Sequence, residues 1–182
     1  MMKFFKIGCG AIIALLALII ILALFSGGDD DKPSTGSSQD KTETSDGKKD
    51  TSDGSKTIDA TAQVVEVNGL KVALGEIKIS KSKIQVGVNV ENIVANSVTF
   101  YPDQGSAVVG NMQLDANLFL TDGDVSGDIQ SGVLKEGVIE YLAPDGKEID
   151  VDALTEIKLI FGNVFNDTSF ESEEVTFTVP IQ

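Results

Sequence analysis

Apolar residues follow two different patterns along this chain. Residues 7–25 contain no charged side chain, and 19 residues at about 1.5 Å each reach about 28 Å, close to the thickness of a bilayer core. This pattern predicts one membrane-spanning helix. Beyond residue 57 the period changes to two. Ile84, Val86, Val88 and Val90 alternate with Gln85, Gly87, Asn89 and Glu91, which puts four β-branched side chains on one face of a strand. Ile157, Leu159 and Phe161 repeat the device, as do Val175, Phe177 and Val179, after which Pro180 closes the last strand. Asn68-Gly69 lies between Val65-Glu66-Val67 and Leu70-Lys71-Val72 and predicts a two-residue hairpin, because both turn positions need positive φ. Gly75 falls where the apolar phase slips between Leu74 and Ile77, as a bulge requires. Further strands are predicted at 98–101, 107–109, 112–114, 118–120 and 138–143, with the start of a short helix at 151–154 after the turn Pro144-Asp145-Gly146. Short antiparallel strands separated by turns predict an all-β sandwich with Greek-key links.

Composition separates the two patterned regions. Residues 27–57 hold no Val, Ile, Leu, Met, Phe, Trp or Tyr, so nothing there offsets the entropy of ordering, and a disordered acidic spacer is expected. The segments are therefore a membrane anchor at 1–26, a linker at 27–57 and a folded domain at 58–182. Lys3 and Lys6 precede the apolar run and Asp29, Asp30 and Asp31 follow it. The positive-inside rule then places the N-terminus in the cytoplasm and the domain outside, as a single-pass membrane protein. The alternative is a secreted domain, released by signal cleavage near residue 26.

Charge and residue usage narrow the chemistry. The chain has 14 Lys, no Arg and 28 acidic residues, for a net charge of −14, which excludes a nucleic-acid partner held by phosphate neutralisation. Histidine is absent and Cys9 is the one cysteine, so zinc sites, histidine bases and structural disulfides drop out. Cys9 stands near the start of the apolar run, whereas an acylated lipoprotein cysteine follows it. No tryptophan and no cysteine pair remain to build an antibody-type core.

The most specific local pattern is Asp122-Gly123-Asp124-Val125-Ser126-Gly127-Asp128. Oxygen ligands at alternate positions with glycine at the sixth match the first half of a calcium loop, making Asp122, Asp124, Ser126 and Asp128 candidate Ca²⁺ ligands. The twelfth position is Val133 rather than Glu, and the flanks are strand-like. Asp145, Glu148, Asp150 and Asp152 form a second acidic group, and Glu171, Glu173 and Glu174 precede the final strand; both read as solvated surface, the latter guarding an edge from pairing. Ser80-Lys81-Ser82-Lys83 reads as a turn, and Phe100-Tyr101-Pro102 as a strand end with Tyr101 at its rim. No catalytic residue is assigned.

The strand Ile84-Gln85-Val86-Gly87-Val88-Asn89-Val90-Glu91 followed by Asn92, together with Val98-Thr99-Phe100-Tyr101-Pro102, Gly137-Val138-Ile139-Glu140-Tyr141 and Leu159-Ile160-Phe161-Gly162, resembles the uncharacterised secreted or membrane-tethered immunoglobulin-like domains of Gram-positive bacteria. That domain-of-unknown-function family is grouped with a mycobacterial secreted antigen. The resemblance spans 68–181 and implies an immunoglobulin-like antiparallel β-sandwich outside the cell; it supplies no catalytic residues. The expectation is a membrane-tethered, extracytoplasmic binding domain of the bacterial envelope, not an enzyme. Its partners would be the membrane, through the N-terminal helix, an envelope or surface protein, and a second copy through edge strands. The alternative is a calcium-binding structural or adhesion module.

Overall fold

The computed structural model describes residues 33–35 and 54–181. The spanning segment expected at 7–25, Cys9 and the rest of the spacer lie outside the described residues. Among the described residues no helix is long and apolar enough to cross a membrane.

The strands in chain order are β1 (Lys56–Asp59), β2 (Val64–Val67), β3 (Leu70–Ile79), β4 (Lys83–Asn92), β5 (Val98–Phe100), β6 (Ser106–Val109), β7 (Met112–Asp115), β8 (Asp122–Gly123), β9 (Gly127–Ile129), β10 (Leu134–Leu142), β11 (Glu156–Asn166) and β12 (Ser172–Pro180). They form two antiparallel sheets. The first runs β1-β3-β4-β10-β8, with β2 sharing the β1 edge of β3. The second runs β7-β6-β11-β5-β9, with β12 along the other edge of β11. Each sheet draws strands from both halves of the folded residues 54–181.

Alternation decides which face is buried. Val72, Leu74, Ile77 and Ile79 of β3, Ile84, Val86, Val88 and Val90 of β4, and Ile139 and Tyr141 of β10 meet Phe100, Leu114, Ile157, Leu159, Phe161, Val164, Val175, Phe177 and Val179 in one core. Each such side chain contributes roughly 1.5–3 kcal/mol on leaving water. Phe161 and Phe177 meet edge to face, with ring centroids 5.8 Å apart, a geometry that aligns the positive ring edge with the negative ring face.

Asn68 (φ 47°) and Gly69 (φ 88°) form the expected hairpin turn, with Val67 opposite Leu70. The phase slip at Gly75 is a bulge between Leu74 and Ile77, opposite Val88 and Val86. Asparagines tie the sheets together at this end. Asn92 Nδ2 donates to the Asn96 and Ile129 carbonyls at 2.8 and 2.7 Å while its Oδ1 accepts from Val94 N–H. Asn68 donates to the Val164 carbonyl and Asn166 to the Asn68 carbonyl, both at 3.1 Å.

Two local expectations are corrected. Residues 118–120 form a turn rather than a strand, because Asn117 draws in their backbone hydrogen bonds. Residues 151–154 start no helix; Ala153 N–H closes a single turn on the Asp150 carbonyl at 3.2 Å, and Val151 is drawn into the core. A 3-10 turn stands instead at Pro102–Gln104. The strands also begin earlier than residue 58, at Lys56, which pairs with Ile79. Pro33–Thr35, which composition assigns to the spacer, lies on the first sheet, where the Ser34 carbonyl accepts from Glu76 N–H at 2.8 Å.

Candidate binding surface

Beyond β7 the chain is pinned to β10 by the bridge between Ala116 and Tyr141 and by Asn117 N–H donating to the Glu140 carbonyl at 2.8 Å. Asn117 then organises the turn. Its carbonyl accepts from Leu120 N–H and Thr121 N–H, both at 3.0 Å, and its Oδ1 accepts from Phe119 N–H at 3.0 Å. A short polar side chain closing its own backbone two residues on is an Asx turn. With the main chain satisfied locally, the side chains are left outside: Leu118 is 51%, Phe119 88% and Leu120 49% exposed. Leu118 and Phe119 line a cleft of about 520 Å³ with Leu142, Ala143 and Pro144, and Asp115 and Asp145 stand at its rim. An apolar cleft with an exposed aromatic beside it and carboxylates around it suits an apolar side chain next to a cation.

Phe165 and Phe170 make a second apolar projection, on the β11–β12 hairpin, with centroids 6.3 Å apart. Phe170 is in the left-handed region at φ 58°, an unfavourable conformation for a bulky residue. The turn holds it there through Phe170 N–H donating to the Asn166 carbonyl at 2.9 Å.

The residues of the Asp122 loop are spread along a connection between the sheets. Asp122 and Gly123 form β8 on the first sheet, paired with Val138 and Gly137. Gly127, Asp128 and Ile129 form β9 on the second, paired with β5. Val125, between them, is buried in the core. Lys135 Nζ donates to Asp124 Oδ1 at 2.9 Å and to the Ser126 carbonyl at 2.7 Å. An ammonium thus lies where oxygens of this loop meet. Asp128 Oδ1 accepts from Thr99 Oγ1 at 2.8 Å. Among the described residues, no group of three or more acidic, histidine or cysteine side chains is arranged to hold a metal ion.

Asp150 and Asp152 flank Val151, which is buried with Ile149, so the alternation that draws these apolar residues in turns the acids out. Phe100 is buried and Tyr101 exposed, placing Tyr101 at the rim of the core. Sequence reasoning missed the apolar turn. Its signal was there: three consecutive apolar residues between Asn117 and Thr121-Asp122-Gly123 break the period of two that marks the half-buried strands.

No family model matches the chain, and no curated protein does so. Among solved structures it is similar to a functionally unknown protein from Listeria monocytogenes EGD-e, at 11% identity over 69% of this chain and 84% of that one, with a TM-score of 0.49. It is also similar to a conserved hypothetical protein from Bacillus anthracis, at 10% identity over 70% and 97%, TM-score 0.45. The GAE domain of GGA2p from Saccharomyces cerevisiae gives 17% identity over 66% and 96%, TM-score 0.33. Nothing about function is transferred from scores at this level.

Proposed function

We propose that this chain is a membrane-tethered, extracytoplasmic binding module of a bacterial cell envelope rather than an enzyme, with an immunoglobulin-like sandwich as its folded part. The observation that carries the reading is Phe119, 88% exposed between two half-exposed leucines on a turn fixed by Asn117. A rigid aromatic anchor loses little conformational entropy on docking and offers a large contact area. The partner this surface suits is a protein presenting an apolar side chain beside a basic one, since residues 58–182 carry 7 Lys and 20 acidic residues and Asp115 and Asp145 rim the cleft. The tether rests on the charge-free run at 7–25 and on the lysines before it. The immunoglobulin-like assignment is supported by two antiparallel sheets that exchange strands, and the Gram-positive family by the resemblance in the strand motifs alone.

The test is to place a photo-crosslinking phenylalanine at position 119 of the full chain in living cells, and at Glu148 as an exposed control. A discrete adduct from position 119, lost with Leu118→Asp and Leu120→Asp, is expected, on a protein that sediments with membranes and is cut by protease added to intact cells. A protein shielded from external protease in the soluble fraction, or identical crosslinking from both positions, would sink the reading.

A further inference from the structure

Ser34 is gripped through its main chain. Its N–H donates to Glu76 Oε2 at 2.9 Å and its carbonyl accepts from Glu76 N–H at 2.8 Å, so one residue of β3 satisfies both polar groups. The next carbonyl, of Thr35, accepts from the Asn89 carboxamide of β4, and Thr35 Oγ1 donates to Glu136 Oε2 of β10 at 3.4 Å. Pro33 is buried. Three adjacent strands therefore contribute to holding three residues.

The floor beneath them is made of glycine. Gly75 in the β3 bulge and Gly87 on β4 lie across from each other, and a Cβ on either would overlap the Ser34 carbonyl oxygen. Neither glycine has positive φ, so the strand conformation does not demand them. Each lowers strand stability by roughly 0.5–1 kcal/mol relative to alanine. What the missing side chains provide is close approach of another backbone. Beside this floor, Val138 pairs with Gly87 and is only 6% exposed, yet it lies outside the core between the sheets. Asn89 Oδ1 is also buried there, without a hydrogen-bond partner.

We propose that the outer face of the first sheet is a binding site for a short extended peptide, built from the Gly75–Gly87 notch, Glu76 and Asn89, and that the chain's own Pro33-Ser34-Thr35 occupies it in cis. Recognition runs through the peptide backbone. The notch admits an uncharged segment with a small residue over the two glycines. The inference stands independently of the Phe119 surface and of any membrane anchor.

The test is amide hydrogen exchange on the isotopically labelled full chain in detergent, read at Glu76 N–H. Ser34→Pro removes the N–H that Glu76 accepts and leaves the residues of the sheet unchanged, and Gly87→Ala fills the notch and leaves the residues of the segment unchanged. Both variants are expected to speed exchange at Glu76 by about tenfold or more while the Val72 and Val88 amides keep their protection. A peptide spanning residues 32–37, added in trans, restores Glu76 protection in Ser34→Pro and not in Gly87→Ala. Glu76 exchanging equally fast in wild type and Ser34→Pro would overturn the site. Protection that falls on dilution of the wild type would overturn its occupancy in cis, by showing that the segment comes from another copy.

Discussion

Replacing Tyr141 by Phe tests the core more sharply than any truncation would, because it removes one atom. Tyr141 is fully buried, its hydroxyl has no hydrogen-bond partner, and Asp103 Oδ1 is buried and unpartnered as well. Burial pushes the Tyr141 phenol far above its ordinary value, and the negative charge of Asp103 adds to the shift. At neutral pH an unsatisfied buried donor costs about 1–3 kcal/mol. Tyr141→Phe, which keeps the ring, is therefore expected to stabilise the domain by about 1 kcal/mol. At high pH the difference grows. The unfolded chain ionises this phenol near pH 10 and the folded chain does not, so the unfolded state binds fewer protons and stability falls as pH rises above 10. Between pH 9 and 11 the loss is about 1.4 kcal/mol from this group. For about 125 residues, with an unfolding entropy near 0.26 kcal/mol per degree, that is about 5 °C. Thermal unfolding by circular dichroism of both proteins at pH 7, 9 and 11 reads the effect: the advantage of the variant should widen by about 5 °C between pH 9 and 11. Parallel decline of the two proteins would refute the buried, unpartnered hydroxyl.

Asn92→Ala removes three hydrogen bonds that join β4 to the Asn96 and Ile129 carbonyls and to Val94 N–H, and should cost about 3 kcal/mol in denaturant melts. A loss under about 1 kcal/mol would mean that water replaces the carboxamide. Phe177→Ala, which deletes one ring of the Phe161 pair, should cost about 3–5 kcal/mol, and Phe161→Ala added to it should cost less than the sum, as a double-mutant cycle will show. Calcium at the Asp122 loop must displace the Lys135 ammonium from Asp124 and Ser126, so wild type should melt at the same temperature in EDTA and in millimolar calcium. A rise of several degrees that Asp124→Ala abolishes would establish Asp122, Asp124, Ser126 and Asp128 as ligands.

The elements that the sequence revealed are those in which side chains alone decide the outcome. Ile84 to Val90 alternate because one face of β4 meets the core, and Asn68-Gly69 supplies the two positive φ angles that a tight hairpin needs. The features that stayed hidden depend on backbone partners or on distant groups. Leu118, Phe119 and Leu120 look like strand residues until Asn117 is seen to take up their amides. The Asp122 pattern reads as an ion loop in sequence, and only the fold shows Val125 in the core and Lys135 bonded to Asp124 and the Ser126 carbonyl. The docking of Pro33-Ser34-Thr35 leaves almost no trace in the linker, because its main chain makes most of the contacts. Its signature is on the other side, in Gly87, a glycine in the middle of a strand of β-branched residues.

The edges of the two sheets govern how many copies can share a small area. On the first sheet one edge is split between the four-residue β1 and β2 at the Gly75 bulge, and the other ends in the two-residue β8. On the second sheet, β5 and β6 share one side of β11 and are flanked by the three-residue β9 and the four-residue β7. A strand this short offers too few free amides to template another chain. Among the described edge strands only the nine-residue β12 is long enough, and Glu173 and Glu174 lie on it, with Pro180 at its end. Crowded side by side on a surface, these molecules would repel along that edge and find no continuous ladder among the other described edge strands, so dense packing need not become polymerisation.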